Sequence, residues 1–262
     1  MRLVVDPAGC DGSLGSASVG AVRASNRVVF WDFDGTLARR NGMWSGALLD
    51  ALRLVEPSTT VTPEQLSPLL RSGFPWHSPD VVGAQQSAEQ WWASLTPTII
   101  DAYLGVGVDA KHAESATASV SAEFYRTDAW TLVEGAPDAL RETRDAGYRN
   151  VILSNHPPEL PALVDALGLS PLVDDTITSA TVGAEKPHRT IFDYAMTSAH
   201  VTADDDLWMV GDNPIADVQG ARAAGIRSIL ADGAHPDSTG VTVLAVAYQI
   251  AAASLGSGHG AD

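Results

Sequence analysis

The run Val28-Val29-Phe30-Trp31 ends at Asp32-Phe33-Asp34-Gly35-Thr36, and no other stretch narrows the possible folds so far. Apolar β-branched and aromatic residues without alternation read as a strand buried on both faces, the pattern of a parallel sheet. In extended backbone, side chains two apart point the same way, so Asp32 and Asp34 leave the strand on one side. Open α/β sheets take their ligands beyond the carboxyl ends of the strands. The strand therefore predicts a pocket entered by two carboxylates. Taken alone, the same residues suit a plain turn; the downstream sequence decides against that.

Beyond residue 130 strands and helices alternate. Val151-Ile152-Leu153 predicts a second buried strand, ending in Ser154-Asn155 and followed by a helix over 158–167. A strand near Asp175–Thr178 leads to Glu185-Lys186-Pro187 and a helix over 188–199. Leu207-Trp208-Met209-Val210 ends in Gly211-Asp212-Asn213, and Pro214 opens a helix closing at Gly225. Ile226–Leu230 is a further strand, and 241–255 a strand-to-helix pair. The expected fold class is α/β, a doubly wound parallel, Rossmann-like sheet.

Between the first two strands the pattern turns helical. Ala47, Leu48, Leu52 and Val55 are helically spaced, Thr62-Pro63-Glu64-Gln65 is a helix start, and helices are expected over 85–103 and 109–126. Trp91, Trp92, Leu95, Ile99 and Tyr103 are expected as the core of a helical bundle. The predicted division is a flexible leader over 1–25, an α/β core over 26–43 and 128–249, an inserted α-helical cap over 44–127, and a helix end with flexible tail over 250–262.

The chain of 262 residues carries a formal charge of −16. That balance argues against nucleic acid, where phosphate contacts dominate affinity, and against anionic membrane surfaces. Cys10 is the only cysteine, so neither disulfides nor a thiolate zinc site is expected. Leu3-Val4-Val5 is too short for a secretory signal, and no run has the length of a membrane span. A cytoplasmic location is expected; oligomeric state is unreadable. An anionic small substrate would need local positive charge or a metal.

Parallel topology brings four groups to one sheet edge: Asp32 with Asp34, Ser154 with Asn155, Lys186, and Asp212 with Asp217. Asp32-Phe33-Asp34-Gly35-Thr36, Ser154-Asn155, Lys186-Pro187 and Gly211-Asp212-Asn213-Pro214-Ile215-Ala216-Asp217 resemble, in order and spacing, motifs I to IV of the haloacid dehalogenase superfamily. The helical insert resembles that superfamily's type-1 cap. The resemblance implies a hydrolase, and Asp34 points to its phosphatase branch, because dehalogenases lack an acid at that position.

The residues suit such chemistry on physical grounds. A carboxylate meeting one phosphate charge at ~4 Å is opposed by about 4 kcal/mol at an effective dielectric near 20. Cations must offset this. Lys186 is one. Asp212 and Asp32, with a main-chain carbonyl, make an oxygen-only site suited to Mg²⁺; the resemblance implies that the carbonyl is that of Asp34 and that Asp217 supports the metal's water shell. Asp32 is the expected nucleophile and Asp34 the acid and base. Ser154, Asn155 and Lys186 are expected to bind phosphate. Gly35 permits the sharp turn, Thr36 is expected to orient the Asp32 carboxylate, and Gly211 and Asn213 frame Asp212. The expected partner is a small phosphorylated molecule. Alternatives are a phosphomutase, a dehalogenase-type hydrolase, or a non-catalytic binding protein on the same scaffold. His77 and His156 are unassigned, and Arg39 and Arg40 read as solvated more readily than as substrate contacts.

Overall fold

The computed structural model describes residues 26–238 and 240–256; the leader with Cys10 and the tail beyond Gly256 lie outside them. Strand β1 (Arg27–Trp31) is the middle of a five-stranded sheet. It pairs in parallel with β4 (Arg149–Ser154) on one side and β6 (Asp206–Gly211) on the other, with β5 (Asp175–Thr178) and β7 (Arg227–Leu230) outermost. All of these strands are parallel, as the sequence predicts.

Alternate residues of β1 feed opposite layers. Val29 and Trp31 join a cluster containing Leu140, Leu163, Val246 and Ile250, from α6 (Ala136–Asp145), α7 (Leu160–Ala166) and α11 (Val243–Gly256). Val28 and Phe30 face Ile191, Phe192 and Ala195 of α9 (Arg189–Ser198) and Ala221 of α10 (Gly220–Ala223). Every β1 side chain from Val28 to Trp31 is wholly buried, which is why the run carries no polar alternation. The Trp31 indole N–H donates to Asn150 Oδ1 at 3.0 Å, so the one polar atom of this strand face has a partner.

A third cluster lies in the insert. It joins Leu48 and Leu52 of α1 (Met43–Val55), Leu66 of α2 (Pro63–Leu66), Trp91, Leu95, Ile99 and Tyr103 of α3 (Ala88–Gly105), Ala113 of α4 (Ala110–Thr117) and Val120 of α5 (Val120–Phe124). Trp92 stands half-buried instead, donating to Glu159 Oε1 at 2.8 Å and so tying the insert to the sheet-bearing part.

Four local expectations are corrected. The helix expected over 109–126 is two, broken at Ala118-Ser119. The start at Thr62 yields a single turn before a 3₁₀ stretch. Pro214–Gln219 is wound as a wide π turn rather than an α-helix. Ala38–Arg40, whose two arginines read as solvated, is strand β2, antiparallel to β3 (Trp130–Leu132). That ribbon joins the two ends of the insert. At its neck Arg40 is buried: its guanidinium donates to Asp50 Oδ2 at 2.7 Å and to the Glu123 carbonyl at 3.2 Å, and Arg126 also reaches Asp50. Arg40 is therefore pinned within the fold, whereas Arg39 is exposed.

Candidate active site

The carboxyl ends of β1, β4 and β6 deliver the site. Lys186 Nζ lies 2.8 Å from Asp32 Oδ1 and 2.6 Å from Asp217 Oδ1, with all three side chains almost wholly buried. Ser154 Oγ donates to the same Asp32 oxygen at 2.8 Å. Carboxylate oxygens of Asp32, Asp212 and Asp217 gather within 4.8 Å of one another, the group of that kind found among the described residues.

Loops beyond the strands hold these groups in place. Asn155 exchanges hydrogen bonds with the Lys186 backbone, its Nδ2 donating to the Lys186 carbonyl at 2.9 Å and its Oδ1 accepting from the Lys186 N–H at 2.6 Å. Its side chain thus anchors the lysine loop. Asn213 Oδ1 caps the following turn, accepting from the N–H groups of Ile215 and Ala216, and the Asn213 N–H donates to Asp217 Oδ2 at 2.9 Å. Gly35 sits at φ +88°, and a Cβ there would overlap Asp212 Oδ2, so the position requires both the turn and the space. A Cβ at Gly211 would likewise overlap Asp217.

The Thr36 hydroxyl is buried without a hydrogen-bond partner. It makes no bond to Asp32, contrary to expectation: Ser154 and Lys186 hold that carboxylate instead.

Two features escaped the sequence. The N–H of His235, in the loop after β7, donates to Asp212 Oδ2 at 2.8 Å, and a Cβ at Gly233 in that loop would overlap Asp212. A Gly-bearing loop after a strand of the same parallel edge was the available signal. The second is His156, wholly buried, whose Nε2 lies 3.6 Å from Asp34 Oδ1 and whose Nδ1 lies 3.0 Å from the Tyr125 hydroxyl. His77 only closes a local turn, its Nδ1 accepting from the Phe74 N–H.

The charges are out of balance. Burial, then the Asp32 carboxylate, holds the Asp34 carboxyl well above the usual range. Burial and Asp32 raise Asp212 too. Burial works to lower the Lys186 ammonium, but Asp217 and Asp32 together outweigh it and keep it charged. Burial lowers His156 to about 4, so its imidazole is neutral near pH 7. Three gathered carboxylates against one ammonium leave surplus negative charge, and an oxygen-only donor set of this kind fits Mg²⁺. Beside them opens a cavity of about 570 Å³.

The chain is similar to known proteins over most of its length. Residues 26–225 match the family model described as haloacid dehalogenase-like hydrolase. The human haloacid dehalogenase-like hydrolase domain-containing protein 3 is 30% identical over 218 residues, covering 81% of this chain and 84% of that protein. A phosphoserine phosphatase of Thermus thermophilus is 35% identical over 127 residues, 47% of this chain and 50% of that protein. Among solved structures, the 2-haloacid dehalogenase of Pseudomonas syringae superposes with a TM-score of 0.59 at 22% identity, covering 87% of this chain and 98% of that one; that likeness is one of fold.

Proposed function

Because the chain belongs to the haloacid dehalogenase-like hydrolase family, we propose that it is a Mg²⁺-dependent phosphatase acting on a small organic phosphate monoester. One observation carries the reading. The half-buried Asp34 carboxyl, its Oδ1 screened from water 3.6 Å from His156 Nε2 and its pKa raised by burial and by Asp32, stands two residues from Asp32, whose Oδ1 already accepts from Ser154 and Lys186. A protonated acid beside a held carboxylate is what an alkoxide leaving group requires, and what a halide does not.

In the first step an Asp32 oxygen bonds to phosphorus and the bond from phosphorus to the alcohol oxygen breaks. Asp34 gives its proton to that oxygen, so a neutral alcohol departs. In the second, Asp34, now a carboxylate, takes a proton from water as the water oxygen attacks phosphorus. The bond between phosphorus and Asp32 breaks and inorganic phosphate is released. Lys186 offsets phosphoryl charge from its place between Asp32 and Asp217, and Ser154 keeps Asp32 aimed. Asp32, Asp212 and Asp217, with the Asp34 carbonyl implied by the family resemblance, would hold a Mg²⁺ ion, which when bound supplies positive charge to the carboxylate and phosphoryl oxygens.

The test is release of inorganic phosphate from an aryl phosphate with and without Mg²⁺, set beside Asp32→Asn. Turnover by the parent alone is expected. Equal rates for parent and variant would remove Asp32 as nucleophile.

A further inference from the structure

We propose that the alcohol half of the substrate is largely hydrocarbon, bearing an aryl or comparably broad apolar group and no second anion; this rests on the phosphatase reading and narrows it.

Away from the carboxylates, the cavity is walled by Met43 and Trp44 of α1, Trp76 and Pro79 of the insert, and Ile215 and Pro236 of the core loops. Both indoles belong to one aromatic group: Trp44 lies 5.7 Å from Trp76, ring centre to ring centre, and stacks on Phe124 at 4.3 Å. Such walls are rigid and offer ring faces and edges to another ring. Ile215 is 57% exposed at the cavity's edge. Apolar surface left in water beside a reactive centre is surface that an apolar substrate covers.

Charge supports the same conclusion. Four carboxylates line the cavity, Asp32, Asp34, Asp212 and Asp217, and Lys186 is the only lysine or arginine among the described lining residues. Its ammonium is already held between Asp32 and Asp217. Two arginines at the neck of the insert are engaged elsewhere: Arg40 on Asp50, and Arg126 on Asp50, Glu123 and Asp128. A carboxylate or second phosphate on the alcohol would give up its water among indoles and prolines, where the one lysine of the described lining is already engaged and no arginine stands.

The experiment compares kcat/KM with Mg²⁺ for benzyl phosphate, 4-carbamoylbenzyl phosphate and 4-carboxybenzyl phosphate. The carbamoyl and carboxy compounds share a shape and differ in charge. We expect the two uncharged alcohols to lead the carboxylate by roughly tenfold or more, about 1.4 kcal/mol. Trp76→Ala should lower kcat/KM roughly tenfold for benzyl phosphate, and by a larger factor than for ethyl phosphate. A carboxylate hydrolysed as well as its uncharged counterpart overturns the proposal. Calorimetric binding of benzylphosphonate and its 4-carboxy derivative reads the same preference without turnover. No hydrolysis of any ester, with the uncharged phosphonate still binding better, defeats the phosphatase reading and supports the apolar pocket. Equal binding of the two phosphonates defeats the pocket.

Discussion

His156 Nε2 lies 3.6 Å from Asp34 Oδ1, and neither atom has a hydrogen-bond partner although both are buried. The gap is just beyond hydrogen-bonding length, and catalytic contacts commonly tighten only once substrate is bound. A neutral imidazole has one N–H. With that proton on Nδ1, facing the Pro157 carbonyl at 3.2 Å, the bare Nε2 accepts from protonated Asp34. With it on Nε2, accepting at Nδ1 from Tyr125, the ring donates to Asp34 after the acid has ionised. Either way a single proton occupies the gap. His156→Ala should therefore lower kcat by roughly 10- to 100-fold, with KM little changed, and steepen the dependence of rate on leaving-group basicity. Equal slowing across leaving groups would reduce His156 to a packing residue.

Asp34→Asn removes the proton donor and keeps the shape. Loss of a general acid costs roughly 10²- to 10⁴-fold, and that loss should be concentrated in alkyl phosphates. In kcat/KM, which reports formation of the phosphoryl-enzyme, a dinitrophenyl phosphate, whose leaving group needs no proton, should be nearly spared. Values of kcat/KM that fall together across such a series would refute the acid assignment.

Mg²⁺ should stabilise the fold, because it neutralises the gathered carboxylates of Asp32, Asp212 and Asp217. A ligand at 100 times its Kd adds about 2.7 kcal/mol, read as a rise in Tm. Asp212→Asn should abolish the Mg²⁺-dependent rise. An unaltered rise in that variant would place the ion elsewhere.

Glu185 gives a pH signature of stability. Burial pushes its carboxyl up from 4.5 to about 7, against the lowering effect of Ser179 and Lys186, and its Oε2 has no partner. With the folded pKa above the unfolded one, its favourable contribution is complete below about pH 4.5 and is lost as pH rises through about 7. The span corresponds to roughly 3 kcal/mol. Glu185→Gln should lack that decline, so urea unfolding at pH 5 and pH 8 should show the variant gaining on the parent at the higher pH. Parallel profiles would be inconsistent with a buried, protonated Glu185.

What could be read from residues alone was what neighbours along the chain decide. The β1 run, the strand exits at Ser154 and Gly211 and the turn at Gly35 are local patterns, and the parallel sheet follows from them. Contacts made by distant segments left no such trace. Arg40 meets Asp50 and Glu123 across the insert, so its burial was invisible beside Arg39. Nothing near Asp212 announces that the His235 N–H binds it. Thr36 was misjudged for the same reason, since the donors that occupy Asp32 come from β4 and from the loop before α9. The cavity walls at Trp44 and Trp76 depend on how the insert closes, which helical periodicity does not specify.

The ribbon of β2 and β3 gives the molecule a doorway. The polypeptide departs from the core at Ala38–Arg40 and re-enters at Trp130–Leu132, side by side and hydrogen-bonded. Whatever is threaded between those posts leaves the order of the five parallel strands untouched. The acidic cluster and Lys186 belong to the strand ends, while Trp44 and Trp76 belong to what is threaded, so evolution, or an engineer, could replace the roof and keep the floor.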